Sequence, residues 1–147
     1  NGEDILIMAR TDAHHTYGLT EALERAQKFH DLGADILFVE APKNEEEMRQ
    51  ICSELPGCKM ANIVEGGLTP NIPMNELKEM GYQIAAYPLT LLSASMRAMK
   101  SALAALKSDT PRDKDILNFS ELRDIIGFED YYKISSNYET SKRNGSD

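Results

Sequence analysis

Arg10 stands two residues before Asp12 in the run Ile5-Leu-Ile-Met-Ala-Arg-Thr-Asp-Ala13. A glutamate closes each of two later apolar runs, Ile36-Leu-Phe-Val-Glu40 and Met60-Ala-Asn-Ile-Val-Glu65. A guanidinium stays charged when partly buried, and its planar fork matches a carboxylate or a phosphonate. Arg10 is therefore a ligand clamp, or else the cation of an ion pair with Asp12 or a neighbouring acid. Glu40, beside Ala41-Pro42, has the chemistry to hold a metal-bound water, to orient Arg10, or to act as acid and base. Asn62 falls inside its apolar run, where a buried amide must find partners. It either binds a ligand carboxylate or braces the interior.

Weaker signals surround these three. Glu65-Gly66-Gly67 offers backbone amides that cradle an anion, or forms a plain loop. Thr90, in Tyr87-Pro-Leu-Thr90, either donates a hydrogen bond to a carboxylate or caps the next helix. Arg97, about two turns further on, reaches back toward the site or makes a surface ion pair. His14-His15 suggests metal at first sight. Adjacent residues rarely face one point on a regular element, however, and no third ligand is spaced nearby, so the pair reads as a mobile loop. Cys52 and Cys58 are too few for a disulfide framework and read as buried free thiols.

The elements that must position these groups alternate along the chain. Positions 5 to 9 are apolar without alternating with polar residues, as in a strand covered on both faces. In parallel α/β folds, ligand chemistry collects beyond the carboxyl ends of strands, so the strand tips describe one site. A helix over 19–32 carries the apolar stripe Ala22, Leu23, Ala26, Phe29 and His30, with Thr16 or Thr20 as its cap and Gly33 as its stop. A strand at 35–40 follows, then a helix from the cap Asn44 to Leu55. Pro56-Gly57 breaks the chain before a strand at 58–64. A short helix ends at Gly81, a strand covers 82–87, and a longer helix reaches Lys107. Residues 109–113 form a linker and helix start, and helices over 118–126 and 128–138 follow. The polar end, 140–147, reads as frayed.

Asp31-Leu-Gly-Ala-Asp-Ile36 is echoed by Glu79-Met-Gly-Tyr-Gln-Ile84, 48 residues later. Each is a helix end, a glycine and the start of a buried strand. That interval holds two βα units, so residues 1–108 make four such units, half of an eight-fold barrel. The alternative, a doubly wound sheet, lacks any G-x-G-x-x-G turn after a strand. A half barrel leaves two strand edges and an apolar inner face open, so association with another half is expected. Leu91, Leu92, Met96, Met99, Leu103 and Leu106 form a core or interface stripe. Phe119, Phe128, Tyr131, Tyr132 and Tyr138, within 109–139, read as packing aromatics that meet a partner subunit.

The 147 residues, 41% hydrophobic and 27% charged, suit a single soluble globular domain. A formal charge of −8 argues against nucleic acid as a partner. No apolar run approaches the roughly 20 residues that span a bilayer, and no signal-peptide pattern is visible, so a cytoplasmic location without membrane association is expected. A strand beginning almost at Asn1 reads as a processed or truncated product.

Four segments together carry a resemblance. Ala9-Arg-Thr-Asp-Ala13, Phe38-Val-Glu-Ala-Pro42, Ala61-Asn-Ile-Val-Glu-Gly-Gly67 with Thr69-Pro70, and Tyr87-Pro-Leu-Thr90 occur in the order seen in the isocitrate lyase/phosphoenolpyruvate mutase superfamily. The chain most resembles its methylisocitrate lyase, dimethylmalate lyase and carboxyphosphonoenolpyruvate mutase branch, from about Ile5 to Tyr138. The resemblance implies an α/β fold, the C-terminal half of a TIM-type (β/α)8 barrel with extra C-terminal helices. It implies homo-oligomers, tetramers in the family, and Mg2+ as cofactor. It also implies cleavage of a carbon–carbon bond in a small 2-hydroxy di- or tricarboxylate, through an enolate. Arg10, Asn62, Thr90 and Arg97 would then bind substrate carboxylates, and Glu40 would support the magnesium and substrate shell as the catalytic residue. The family's metal ligands and its Lys-Lys-Cys-Gly gating loop belong to the amino-terminal half of the barrel, so no metal ligand is expected in this chain. Alternatives on the same fold are a phosphonomutase, a phosphonate hydrolase or an oxaloacetate decarboxylase. A non-catalytic half barrel is a further one.

Overall fold

Apolar strands alternating with amphipathic helices produce four parallel strands that lie side by side in sequence order. The structure, a computed structural model, describes residues 5–112 and 116–139; Asp113 and the polar end at 140–147 lie outside them. The elements are β1 (Met8–Thr11), α1 (Ala13–Tyr17), α2 (Leu19–Asp31), β2 (Ile36–Val39), α3 (Glu45–Glu54), β3 (Cys58–Asn62), α4 (Met74–Met80), β4 (Ile84–Ala86), α5 (Thr90–Lys107), α6 (Phe119–Ile126) and α7 (Phe128–Glu139). This is the α/β architecture of consecutive βα units expected from the sequence. Two compact units result, one reaching to Ser93 and the other starting at Ala94.

Strand periodicity sorts the first unit into two faces. Leu37 and Val39 of β2 pack on Ala22, Leu23 and Ala26 of α2 and on Ile51 of α3. Ala61, and Ile63 just past β3, join Met48 of α3 and Leu77 and Met80 of α4. Leu37, Met48, Ile63 and Leu77 are the largest fully buried side chains. Each contributes about 1.5–3 kcal/mol of burial. The intervening residues lie on the opposite face. There Arg10 is in register with Phe38, and Met60 with Ile84.

The internal echo is realised in three dimensions. Gly33 and Gly81 both take the left-handed conformation, at φ 94° and 111°, and end α2 and α4. Just before the next strand, Asp35 Oδ2 accepts a hydrogen bond from Ile7 N at 2.7 Å. At the equivalent place Gln83 Oε1 accepts one from Lys59 N, also at 2.7 Å. Each repeat thus fastens its incoming strand to the preceding one with a side chain at the same position.

Several local expectations change. β1 starts at Met8 rather than Ile5, and Ile5, Leu6 and Ile7 are exposed, so this apolar run is not covered on both faces among the described residues. Gly18, not Thr16 or Thr20, precedes α2 as its cap. Residues 109–112 do not begin a helix, and α6 instead starts at Phe119 behind a capping box of Asn118 and Glu121. Asn44 caps α3 as expected, its Oδ1 accepting from Glu47 N at 2.8 Å. α5 contributes no buried residue, so its Leu/Met stripe is not core within the described chain. In the second unit, Arg123 lies over the rings of Phe119, Phe128 and Tyr132, and Tyr131 meets Tyr132 edge-on. Both cysteines are free and half-buried, and burial pushes the Cys52 thiol up, away from thiolate reactivity.

Candidate functional site

The carboxyl ends of β1, β2 and β3 bring Arg10, Asp12, Glu40 and Asn62 to one edge of the sheet. Arg10 and Phe38 are register partners, and Glu40 follows Phe38 by two residues, so all three share the face turned away from the helices. Continuing the β2–β3 register from Ile36↔Cys58 sets Glu40 level with Asn62, which pairs in turn with Ala86 of β4.

Arg10 is fixed on three sides. Its Nε donates to Asp12 Oδ2 at 2.9 Å and its Nη2 to Asp12 Oδ1 at 2.7 Å, a side-on bidentate pair. Nη2 also lies 3.6 Å from Glu40 Oε2. Below it the Phe38 ring takes the guanidinium carbon at 5.0 Å from its centroid. The hydrogen bond to Asp12 raises the Arg10 pKa, with burial opposing and the charges of Glu40 and Asp12 reinforcing it. The same bond holds the Asp12 carboxyl below the usual carboxylate range. The ion-pair alternative for Arg10 is thus realised, and Nη1 has no protein partner among the described residues.

Glu40 is the less satisfied partner. Its Oε2 is buried and accepts no hydrogen bond among the described residues. The next residue, Ala41, sits in the left-handed region at φ 56°. For a residue with a Cβ that conformation costs roughly 1–2 kcal/mol. Such strain persists only where the surroundings over-determine it. Asn62 is half-buried, and no side-chain hydrogen bond to its amide occurs among the described residues. Thr90 Oγ1 donates to Glu65 Oε1 at 2.6 Å, joining the loop after β3 to the start of α5, and this bond lowers the Glu65 pKa. Thr90 and Glu65 therefore form a pair that the separate readings of these two residues missed. Arg97 belongs to the second unit and is exposed.

The histidine pair departs most from expectation. His14 and His15 lie in α1 rather than in a loop, and His14 is 3% exposed. Its Nε2 is 2.7 Å from Glu47 Oε2, while Nδ1 is buried without a partner. Glu47 Oε2 also accepts the Lys43 backbone N–H at 2.6 Å. Burial alone would raise the Glu47 pKa, but the Lys43 and His14 bonds outweigh it and leave the carboxyl below its ordinary value. The signal in the sequence is the acid-rich start of α3 after Asn44, a carboxylate cluster needing donors. Among the described residues, no three His, Cys, Asp or Glu side chains converge as a metal site would require.

The phosphoenolpyruvate phosphomutase family matches residues 1–107, which include every one of these strand tips. The chain belongs to that family. It is 43% identical over 142 residues to 2,3-dimethylmalate lyase of Eubacterium barkeri, covering 95% of this chain and 49% of that protein. It is 39% identical over 134 residues to 2-methylisocitrate lyase of Aeropyrum pernix, covering 88% of this chain and 43% of that protein. The crystal structure of a 2,3-dimethylmalate lyase, a PEP mutase/isocitrate lyase superfamily member, superposes with a TM-score of 0.82 at 34% identity, covering 93% of this chain and 49% of that one. The family member described here thus spans about half the length of the curated relatives it matches. Its four βα units are those of a TIM-type barrel, as the resemblance implied.

Proposed function

We propose that this chain supplies the carboxylate-binding side of a carbon–carbon lyase acting on a small 2-hydroxy di- or tricarboxylate of the methylisocitrate or dimethylmalate type. The observation that carries the reading is the Arg10–Glu40 pair at 3.6 Å on neighbouring strand tips, with Asn62 level beside it. Arg10 is held by Asp12 and Phe38 before any ligand arrives, which is the condition for a charged donor to favour a transition state. Its unpaired Nη1 edge is the donor for a substrate carboxylate, and the Asn62 amide serves a second one, which the Thr90 hydroxyl joins by turning its one proton away from Glu65. Asp12 is committed to holding Arg10, so Glu40, whose buried Oε2 accepts no hydrogen bond among the described residues, is the acid/base group of this reading. In a retro-aldol cleavage a base takes the hydroxyl proton, the carbon–carbon bond breaks, and the enolate formed is protonated.

Magnesium, a homo-oligomer and a cytoplasmic location are part of the same proposal. The described residues alone do not fit a magnesium ion, so no step is assigned to it here. No described helix is long and apolar enough to cross a membrane.

The test is oxo-acid release from a panel of 2-hydroxy di- and tricarboxylates by the complete protein with and without magnesium. Arg10→Ala is expected to abolish turnover, and full turnover by that variant overturns the site assignment. The family's own description, phosphoenolpyruvate phosphomutase, favours a second reading in which a phosphonate replaces one carboxylate. Phosphorus NMR of phosphonates incubated with the protein separates the two.

A further inference from the structure

We infer that His14 and Glu47 form a brace that sets how far Arg10 stands from Glu40, which makes both of them positioning residues for the lyase site; this rests on the function proposed above. His14 follows Arg10 by four residues, on the first turn after β1, and Glu47 opens α3 just after the turn that follows Glu40. The 2.7 Å contact between them therefore joins the two strand tips whose side chains meet at 3.6 Å.

One oxygen does the joining. Glu47 Oε2 receives both the His14 ring nitrogen and the Lys43 N–H, so it grips the far side of the turn that contains left-handed Ala41. A strained turn next to a functional carboxylate needs such a restraint. His14 also carries a cost that a space-filling residue would avoid. Its Nδ1 is buried without a partner, whereas a leucine of similar size would leave nothing unsatisfied. The imidazole is explained by what its other nitrogen holds. Neither residue makes a hydrogen bond or ion pair with Arg10 or Glu40 among the described residues, so the brace acts on the two loops rather than on the ligand.

The complete protein with His14→Leu, His14→Gln and Glu47→Gln substitutions tests this. Leucine keeps the volume and removes the donor, and glutamine restores a donor near the position of Nε2. With thermal unfolding confirming the fold, His14→Leu is expected to lower kcat/KM by about 10- to 100-fold, the scale of a small misplacement of reacting groups. His14→Gln is expected to recover most of that loss, and Glu47→Gln to resemble His14→Leu. Crystal structures should show the Arg10–Glu40 separation lengthened in His14→Leu and restored in His14→Gln. A folded His14→Leu variant with unchanged kinetics and unchanged separation overturns the brace. So does a His14→Gln variant as impaired as His14→Leu. Should His14→Leu fail to fold, the same outcomes are read from Glu47→Gln against wild type. Should the wild type cleave nothing in the panel, the functional reading fails, and the crystallographic separation alone decides the brace.

Discussion

Arg10 and Glu40 extend from adjacent parallel strands and face each other at 3.6 Å, yet Arg10 gives its two shortest hydrogen bonds to Asp12, two residues along its own chain. The guanidinium is thus oriented locally and aimed across the strands. Replacing Arg10 by lysine keeps the charge but loses the fork. We expect Arg10→Lys to fold normally and to lose about 100-fold or more in kcat/KM, on the scale of a misplaced clamp. Steady-state kinetics with the 2-hydroxy acid panel measure it.

Glu47 gives the pH dependence. Its folded-state pKa lies below its ordinary value of 4.5, so its contribution to stability is complete above that value and is lost as pH falls through the folded-state pKa. Glu47→Gln should therefore be less stable than wild type at neutral pH. The gap should close on acidification below about 4.5. Urea midpoints across pH 3 to 7 check this, and a gap that widens in acid would contradict it.

Ala41→Gly removes a Cβ from the left-handed position after Glu40. Relief of roughly 1–2 kcal/mol, offset by the greater chain entropy of glycine, should leave the variant as stable as wild type or up to about 1 kcal/mol more stable. Turnover should nonetheless fall several-fold, because the turn that holds Glu40 is loosened. Chemical denaturation and kinetics on the same preparation give both numbers.

Gly33 and Gly81 end equivalent helices with positive φ, but their surroundings differ. A Cβ at Gly33 meets nothing within 4 Å, whereas one at Gly81 comes 3.3 Å from the Cβ of Cys52. Alanine at either place should destabilise by about 1–2 kcal/mol for the backbone alone. Gly81→Ala should cost measurably more, and Cys52→Ser should not change Gly33→Ala. Equal costs at both glycines would mean that the α3–α4 contact yields freely.

The strand tips were legible because apolar runs ending in Arg10 and Glu40 report their position directly, whereas Asn62, read as inside a strand over 58–64, proves to be the last residue of β3. The helix stops at Gly33 and Gly81 needed only one residue type each. Asn44 could be read as a cap because a side-chain oxygen before an acid-rich turn has one efficient use. His14 was not legible. Five residues give too few turns for a helical period to show, and its partner lies 33 residues away. The rule that adjacent histidines do not converge was sound, but it says nothing about one of them turning inward alone. Ile5 to Ile7 misled for a different reason. An apolar run records burial in the whole molecule, and these residues are exposed among those described here. The Thr90–Glu65 bond joins a loop to the start of a helix, at a spacing that carries no period at all.

The strand order has a kinetic meaning. Met8 pairs with Ile36, Ile36 with Cys58 and Met60 with Ile84, so every pairing joins a strand to the next one in the chain. Among the described residues no pairing waits for a distant segment to be made, and each loop closed is one or two helices and their turns. Closure entropy is then modest at every step. The sheet can grow one strand at a time as the polypeptide leaves the ribosome, with the Asp35 and Gln83 side chains acting as latches that register β2 against β1 and β4 against β3.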